Sequence, residues 1–313
     1  MDRSNLLAAL MMILAMAGFA VEDAVIKHLS ATMPVGQVVM IICAAGAVAF
    51  AVIARRAGLS LWRPEALRGA VLLRNLSEMI GGGTFVLAIA LAPLSVVTAI
   101  LQTMPLAVTL GAALFLAEPV GWRRWVAIAV GFAGMLIILR PGTADFDPAA
   151  ALAVVTVLAL SVRDLAIRRV PPAVHSLQLA GWGMLAAIPS GAILILLVGQ
   201  APVLPTAPDW GLLALASLCG VGGYGALVLA TRSGDVAVTT PLRYTRLVFA
   251  MAIGVLVFGE RPDAATLLGS VLIVGAGLYT LTREMRLRRT PSAVPPSAVP
   301  PAAPPSAGGP RPL

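Results

Sequence analysis

Two arginines within an apolar stretch are the residues of this sequence best suited to binding a charged solute. Arg243 and Arg246 lie one helical turn apart inside Thr239–Glu260, with Tyr244 between them. A guanidinium near a bilayer centre costs about 2.5 to 3.5 kcal/mol, so it normally faces a protein interior or an aqueous cavity. Its fork can hold a carboxylate by two parallel hydrogen bonds. We predict that Arg243, Tyr244 and Arg246 bind an anionic or zwitterionic solute; the alternative is that the arginines neutralise Glu78 and its neighbours.

Three further polar residues are predicted to line the same site. Arg74 and Glu78 stand four residues apart in one apolar stretch, and Gln102 lies in the next. An acid inside a membrane is costly, which favours a cavity-lining position for Glu78. An interfacial ion pair is the alternative for Arg74. We therefore add Arg74, Glu78 and Gln102 to the predicted substrate-binding residues.

Two charged pairs occur at equivalent positions in the two halves of the chain. Asp23 precedes Lys27 by four residues, and Asp164 precedes Arg168 by four. Residues four apart share a helix face, so each pair is predicted to meet. The pairs are either structural ion pairs or two gates related by the repeat. The predicted gate or coupling residues, which include the neighbours of each pair, are Glu22, Asp23, Lys27, Arg163, Asp164 and Arg168.

The composition places these residues in a membrane protein. Of 313 residues, 59% are hydrophobic and 12% charged, with a mean hydropathy of +0.95; about 25% charged is usual for soluble domains. Runs of about 20 apolar residues can cross a bilayer, and ten such runs leave no room for a soluble catalytic domain. They are Leu6–His28, Val35–Ala54, Gly69–Leu91, Ser95–Ala117, Trp122–Arg140, Ala149–Arg168, Val174–Val198, Trp210–Thr231, Val236–Gly259 and Ala264–Arg283.

The basic residues behind the net charge of +8 lie mostly in the loops on one side of the ten predicted spans. This placement argues against a nucleic-acid-binding patch. Basic residues concentrate in cytoplasmic loops of membrane proteins. This bias predicts a multi-pass protein of a bacterial-type inner membrane with both termini in the cytoplasm, and no nucleic-acid partner. Arg140 and Arg261 flank the other side, whereas the predicted cytoplasmic side carries Arg55, Arg56, Arg63, Arg68, Arg123, Arg124, Arg168, Arg169, Arg232, Arg283, Arg286, Arg288 and Arg289.

An internal duplication organises the chain. Val21–Lys27 aligns with Val162–Arg168 at a shift of 141, and Ser95–Glu118 aligns with Ala237–Glu260 at a shift of 142. Because each copy holds five spans, an odd number, the second copy crosses the membrane in the opposite sense. We predict a first repeat over 1–141, an inverted second repeat over 142–285, and a disordered Pro/Ala-rich cytoplasmic tail over 286–313.

A set of short motifs resembles the EamA-type branch of the drug/metabolite transporter superfamily, including its members for uptake of S-adenosylmethionine. That resemblance implies an all-α membrane fold, a basket in which spans one to four and six to nine surround a cavity. It also marks Glu118 and Glu260, the two terminal glutamates at the ends of the fourth and ninth spans, as characteristic, and we predict that they orient loop amides. The motifs are Arg74, Ala88–Ala90, Pro93-Leu94, Pro105-Leu106, Leu116-Ala117-Glu118, Leu242–Thr245, Phe258-Gly259-Glu260 and Gly275–Gly277.

Inverted repeats of this kind favour a secondary transporter working by alternating access. Its predicted substrate is a small polar, zwitterionic or anionic organic metabolite, similar to an amino acid or S-adenosylmethionine. A broad-specificity multidrug or metabolite exporter and a membrane-embedded enzyme are the alternatives. The sequence lacks an ATP-binding motif and the HExxH, GxSxG and CxxC motifs, so we predict no catalytic residue, metal or cofactor. Predicted partners are the solute, the lipid bilayer and coupling protons. A homodimer is left open as an alternative to a monomer.

Overall fold

The fold comes from a computed structural model that describes residues 3–118 and 120–289. Within those ranges every regular element is helical. Two short 3₁₀ helices, Pro64–Leu67 and Pro241–Tyr244, interrupt the α-helices. These are α1 Arg3–Leu29, α2 Val35–Arg56, α3 Gly69–Leu91, α4 Leu94–Leu101, α5 Met104–Phe115, α6 Trp122–Leu139, α7 Pro148–Ile167, α8 Ser176–Val198, α9 Ala207–Ser233, α10 Val236–Thr239, α11 Thr245–Phe258 and α12 Ala264–Arg289.

The predicted class of all-helical membrane protein is confirmed. Nine helices of the described ranges are long and apolar enough to cross a membrane, with α4 and α5 counted together and α11 joined to the preceding 3₁₀ turn. The remaining predicted span is α3, which has 23 residues and matches its predicted limits. Its hydropathy is lowered by Asn75 and by Arg74 and Glu78, the two residues predicted to line the site. The predicted tail lies outside the described residues from position 290 onward.

The ninth span departs from the sequence-based expectation of one continuous helix. It consists of α10, the 3₁₀ turn Pro241–Tyr244 and α11. Pro241 has no N–H to donate and its ring clashes with the preceding turn, which accounts for the break in the helix at this position. The equivalent fourth span is also divided, where Pro105 follows the break between α4 and α5. Arg243 and Arg246 therefore lie on different segments rather than on one helical face.

Helix packing follows the repeat. The most extensive contacts join α1 to α9, α3 to α7, and α2 to α8, which is the pairing expected for two inverted halves. The fifth and tenth spans, α6 and α12, pack mainly against each other. A Cβ atom at Gly134 of α6 would lie 2.8 Å from the carbonyl oxygen of Gly269 on α12, so this close approach requires glycine. The result leaves α6 and α12 peripheral, as the family resemblance implied.

Two sides of the bundle can be defined from its chain path. Ten crossings bring Arg3 and Arg289 to the same side, which we call the terminal side. The opposite or far side holds the last residues of α1, the connection between α3 and α4, and the end of α11. Lys27 and Glu260 lie on the far side, whereas Glu118 and Arg168 lie on the terminal side.

Candidate functional site

Charged side chains from α1, α3, α7 and the ninth span meet between the two halves. They form two clusters, each of which contains both acidic and basic groups. The first cluster comprises Glu22, Asp23 and Arg246, and the second comprises Arg74, Glu78, Arg163, Asp164 and Arg243.

Arg246 of α11 is engaged by Asp23 of α1. Its Nε donates to Asp23 Oδ2 at 3.1 Å, and its Nη2 donates to Oδ1 at 2.9 Å and to Oδ2 at 2.7 Å. The rings of Phe19 and Phe85 lie 5.4 and 5.5 Å from the guanidinium carbon. Asp23 is 2% exposed, so its charge is compensated almost entirely by this arginine. Arg246 thus neutralises an internal acid, as one prediction allowed, but that acid is Asp23 rather than Glu78.

Glu78 is held between two other guanidinium groups. Arg74 Nη2 donates to Glu78 Oε2 at 2.9 Å, so these residues form an ion pair along α3, which was the alternative considered for Arg74. Arg163 Nη1 of α7 lies 3.3 Å from both Glu78 carboxylate oxygens. Arg163 Nε also donates to Asp164 Oδ1 at 2.8 Å. This network links α3 to α7 and leaves Glu78 fully occupied by protein cations.

The two halves differ at one equivalent contact. Where α7 places Arg163 against Glu78 of α3, α1 places Glu22 against Gly220 of α9. A Cβ atom at Gly220 would lie 2.9 Å from the carboxylate carbon of Glu22, so glycine leaves space for that carboxylate. Glu22 is partly buried, and its side chain makes no hydrogen bond or ion pair with any described residue. In one half, Glu78 thus has the basic partner Arg163. At the equivalent contact of the other half, Glu22 has no ion-paired partner among the described residues.

Arg243 is the unpaired base of the site. Its side chain is exposed on the 3₁₀ turn of the ninth span, and no hydrogen bond or ion pair to it occurs within the described residues. Asp164 and Arg163 are close enough to act on it electrostatically. Gln102, which follows α4, donates from Nε2 to the backbone oxygen of Arg243 at 3.4 Å. Gln102 and Arg243 therefore sit together where the fourth and ninth spans are both broken.

Tyr244 points away from this group. It is 6% exposed and its ring packs against Gly277 of α12, with its hydroxyl buried and unpaired among the described residues. A substrate role for Tyr244 stays a prediction, and packing between the ninth and tenth spans is the role visible in the contacts.

Neither of the two predicted gate pairs, Asp23 with Lys27 and Asp164 with Arg168, forms an ion pair within the described residues. Lys27 instead donates to the carbonyl oxygens of Ile89 and Ala92 and lies 3.8 Å from Glu260. Arg168 forms an ion pair with Glu118. Lys27 and Arg168 thus contact residues of other helices instead of the acids four residues before them, whereas Asp164 pairs with its neighbour Arg163. The repeat contained the signal for this, since Lys27 and Glu260 are equivalent to Arg168 and Glu118.

The predicted role of the terminal glutamates is confirmed for Glu260. Its carboxylate accepts from the backbone N–H of Leu94 at 2.6 Å and of Ser95 at 3.0 Å. Ser95 Oγ donates to the same carboxylate at 2.7 Å. Glu118, by contrast, has Arg168 as its recorded side-chain partner within the described chain.

Two grooves on the bundle lie apart from these charges. One, of about 680 Å³, is bounded by α2, α3, α8 and the segment around Trp62; the other, of about 370 Å³, lies between α6 and α12. Both are lined mainly by apolar side chains. Apolar grooves facing a bilayer suit lipid chains, so we locate the polar-solute site by its charged groups rather than by groove volume.

Comparisons with known proteins agree with this architecture. The sequence profile of the EamA-like transporter family matches residues 6–140 and again residues 147–282. A solved crystal structure 19% identical in sequence shares the fold, with a TM-score of 0.60 over 90% of this chain and 99% of its own.

Named relatives transport different solutes. A riboflavin transporter of Rhizobium johnstonii is 32% identical over 71% of this chain and 72% of its own length. An S-adenosylmethionine uptake transporter of Rickettsia felis is 29% identical over 69% and 72%. The pseudopaline exporter CntI of Pseudomonas aeruginosa is 28% identical over 85% and 93%. The double family match and these relatives assign transport of a small molecule rather than catalysis, and the chain belongs to the EamA-like transporter family as a multi-pass membrane protein.

Proposed function

We propose that this protein is a secondary transporter of a small zwitterionic metabolite, with Glu22 receiving the cationic group and Arg243 the anionic group. One observation carries the proposal. Among the charged residues at the centre of the described bundle, Glu22 and Arg243 are left without a hydrogen-bonded or ion-paired side-chain partner. A charged side chain among membrane-spanning helices normally faces a partner or an aqueous cavity; Glu22 is partly buried and Arg243 is exposed, so these two are available to a solute.

The charges of the two clusters support the same assignment. In their ionised forms, Glu22, Asp23 and Arg246 carry one excess negative charge. The second cluster, from Arg74 to Arg243, carries one excess positive charge. A solute with separate ammonium and carboxylate groups would compensate both clusters. A solute with one charge would compensate only one of them.

The relatives narrow the chemistry of the solute. S-adenosylmethionine, named for the Rickettsia felis protein, carries an amino-acid group and a sulfonium. An amino-acid-like or S-adenosylmethionine-like substrate is therefore the class we propose. Because other relatives are named for riboflavin and pseudopaline, a broad-specificity exporter is the second candidate function.

We further propose that the terminal side faces the cytoplasm, because it carries the basic loops. Solute movement then follows from exchange of conformation between the inverted repeats. Since the sequence has no ATP-binding motif, a solute or ion gradient drives transport. Glu22 can bind either a proton or the cationic group of the solute, so it is our candidate for coupling.

Transport by purified protein in liposomes tests the proposal. The probes are S-adenosylmethionine, its decarboxylated analogue and its deaminated analogue, each radiolabelled. We expect the intact zwitterion to be carried fastest. Loss of a charge-assisted hydrogen bond costs about 1.5 to 3 kcal/mol, so we expect Arg243→Gln and Glu22→Gln each to raise KM about tenfold or more.

The discrimination between analogues gives the sharper test. Arg243→Gln should carry the intact and decarboxylated compounds at similar rates, and Glu22→Gln should carry the intact and deaminated compounds at similar rates. The matched control is Arg55→Gln, which removes an exposed arginine outside the site and should leave discrimination unchanged. Equal discrimination in all variants would contradict the proposed solute contacts.

A further inference from the structure

A cluster on the far side ties four helices together. We call Lys27, Glu260, Ser95 and the backbone of Ile89–Ser95 the far lock. Glu260, with 9% of its side chain exposed, accepts three hydrogen bonds from Leu94 and Ser95 at 2.6 to 3.0 Å. Lys27 Nζ donates to Ala92 O at 2.6 Å and to Ile89 O at 3.0 Å. The far lock therefore joins the ends of α1, α3 and α11 to the start of α4.

The repeat places equivalent residues on the terminal side. The shifts of 141 and 142 carry Lys27 to Arg168, and they carry Glu118 to Glu260. Arg168 and Glu118 are ion-paired with each other, but their side chains are 44% and 50% exposed. The chain segment equivalent to Ile89–Ser95 is residues 231–237, between the end of α9 and the start of α10. The charged members of a second lock are thus present, but they are exposed to solvent.

Helix contacts show the same difference between the two sides. On the far side, α1 packs against α3 and α4, and α4 packs against α11. Their repeat equivalents would be α7 against α9, α7 against α10, and α5 against α10 and the Pro241–Tyr244 turn. None of these makes a contact of comparable extent within the described chain. Helices therefore pack more extensively on the far side than on the terminal side, although α1–α9 and α3–α7 pack alike.

We propose that Glu260 and Glu118 are the alternating lock residues of transport, and that the structure shows the conformation open to the terminal side. In the opposite conformation, Glu118 binds the backbone of residues 236 and 237, and Arg168 binds the carbonyl groups of Thr231 and Gly234. The far lock is broken in that conformation. This inference rests on the alternating access of the proposed function, but it does not depend on the identity of the solute.

The balance between the two conformations should follow the strength of the two locks. A ligand or substitution shifts a two-state equilibrium only by its difference in free energy between the states. Glu260→Gln weakens a contact made in the conformation observed here, so it should populate the conformation open to the far side. Glu118→Gln removes only an exposed ion pair with Arg168 from the conformation observed here, which contributes little, and it weakens a contact of the opposite conformation, so it should leave the resting protein as it is.

Distances between spin labels test this without any solute. One label pair, at Leu91 and Arg261, spans the far side; the other, at Ala117 and Ser233, spans the terminal side. All four positions are exposed, and Cys43 and Cys219 are replaced by alanine. We expect unmodified lock residues to give a short far-side distance and a long terminal-side distance. Glu260→Gln should add a second population in which both distances are reversed.

The variants separate a lock from a merely structural residue. Glu118→Gln should leave the resting distances unchanged, yet it should remove the reversed population when combined with Glu260→Gln. Lys27→Gln and Ser95→Ala weaken the far lock through its other members and should act in the same direction as Glu260→Gln. The matched control is Asp145→Asn, which removes an acid with a 72% exposed side chain outside the lock, and it should change neither distance.

Two outcomes would overturn the inference. The first is that Glu260→Gln, Lys27→Gln and Ser95→Ala all leave both distances as they were. The second is that Glu118→Gln shifts the resting protein as strongly as Glu260→Gln does. If the distances shift as expected while no zwitterion is transported, the locks stand and the proposed substrate is wrong.

Discussion

Arg246 donates three hydrogen bonds to the carboxylate of Asp23, at 2.7 to 3.1 Å, and so joins α11 to α1. The sequence suggested Arg246 as a ligand for solute, but its fork is already filled by a protein carboxylate. A solute could bind the Nε and Nη2 groups of Arg246 only by displacing Asp23. The pair therefore has a structural role in the conformation observed here, and the unpaired Arg243 is the better candidate for binding.

Removal of Arg246 should destabilise the protein more than removal of Arg243. Arg246→Ala leaves the carboxylate of Asp23 buried without its partner, and breaking a buried ion pair costs about 3 to 5 kcal/mol. Thermal unfolding in detergent should show a large fall in Tm for Arg246→Ala and a small one for Arg243→Ala. The double variant Asp23→Asn, Arg246→Gln should recover part of the loss. Equal stability of both single variants would contradict the assignment.

Enlargement of Gly220 should act on the site through Glu22. A methyl group at Gly220 would meet the Glu22 carboxylate, which would have to move. We expect Gly220→Ala to raise KM for a zwitterionic solute several-fold while the protein still folds. Gly222→Ala is the matched control, because a Cβ there meets no atom within 4 Å. A similar change of KM in both variants would remove the argument for this contact.

Glu78 should behave as a structural acid rather than as a proton carrier. Glu78→Gln leaves Arg74 and Arg163 without the carboxylate that separates their charges, so we expect a lower Tm. Solute exchange and gradient-driven accumulation should then fall together, in proportion to folded protein. If accumulation were abolished while exchange persisted, Glu78 would instead be the coupling residue. Asp164→Asn serves as a comparison, because it removes an acid from the same cluster.

The orientation of the chain can be checked with topology reporters. The basic loops predict that a reporter fused after Arg289 lies in the cytoplasm and that one inserted at Thr206 lies outside. Thr206 is exposed just before α9, on the far side, so an insertion there should be tolerated. The opposite result at both positions would exchange the cytoplasmic and external assignments of the two locks.

Several features were accessible from the sequence because they depend on local properties. Hydrophobic length indicates where a helix can cross a bilayer, so the limits of α3 were predicted as observed. The duplication was visible as matched residues at constant shifts, and it predicted two five-span halves that cross the membrane in opposite senses. The sequence also contains the residue that divides the ninth span, Pro241, but the uninterrupted apolar run favoured one continuous helix.

The partners of the charged residues were decided only by the tertiary structure. Helical spacing indicated that Asp23 could meet Lys27, yet Asp23 pairs with Arg246, 223 residues away. A local pair four residues apart contributes only about 0.2 to 0.5 kcal/mol in an isolated helix, so a partner offering several buried hydrogen bonds prevails. The sequence also places equivalent charged residues, Lys27 with Glu260 and Arg168 with Glu118, at the two ends of the bundle. Which of these groups is buried against neighbouring helices depends on how the two halves pack.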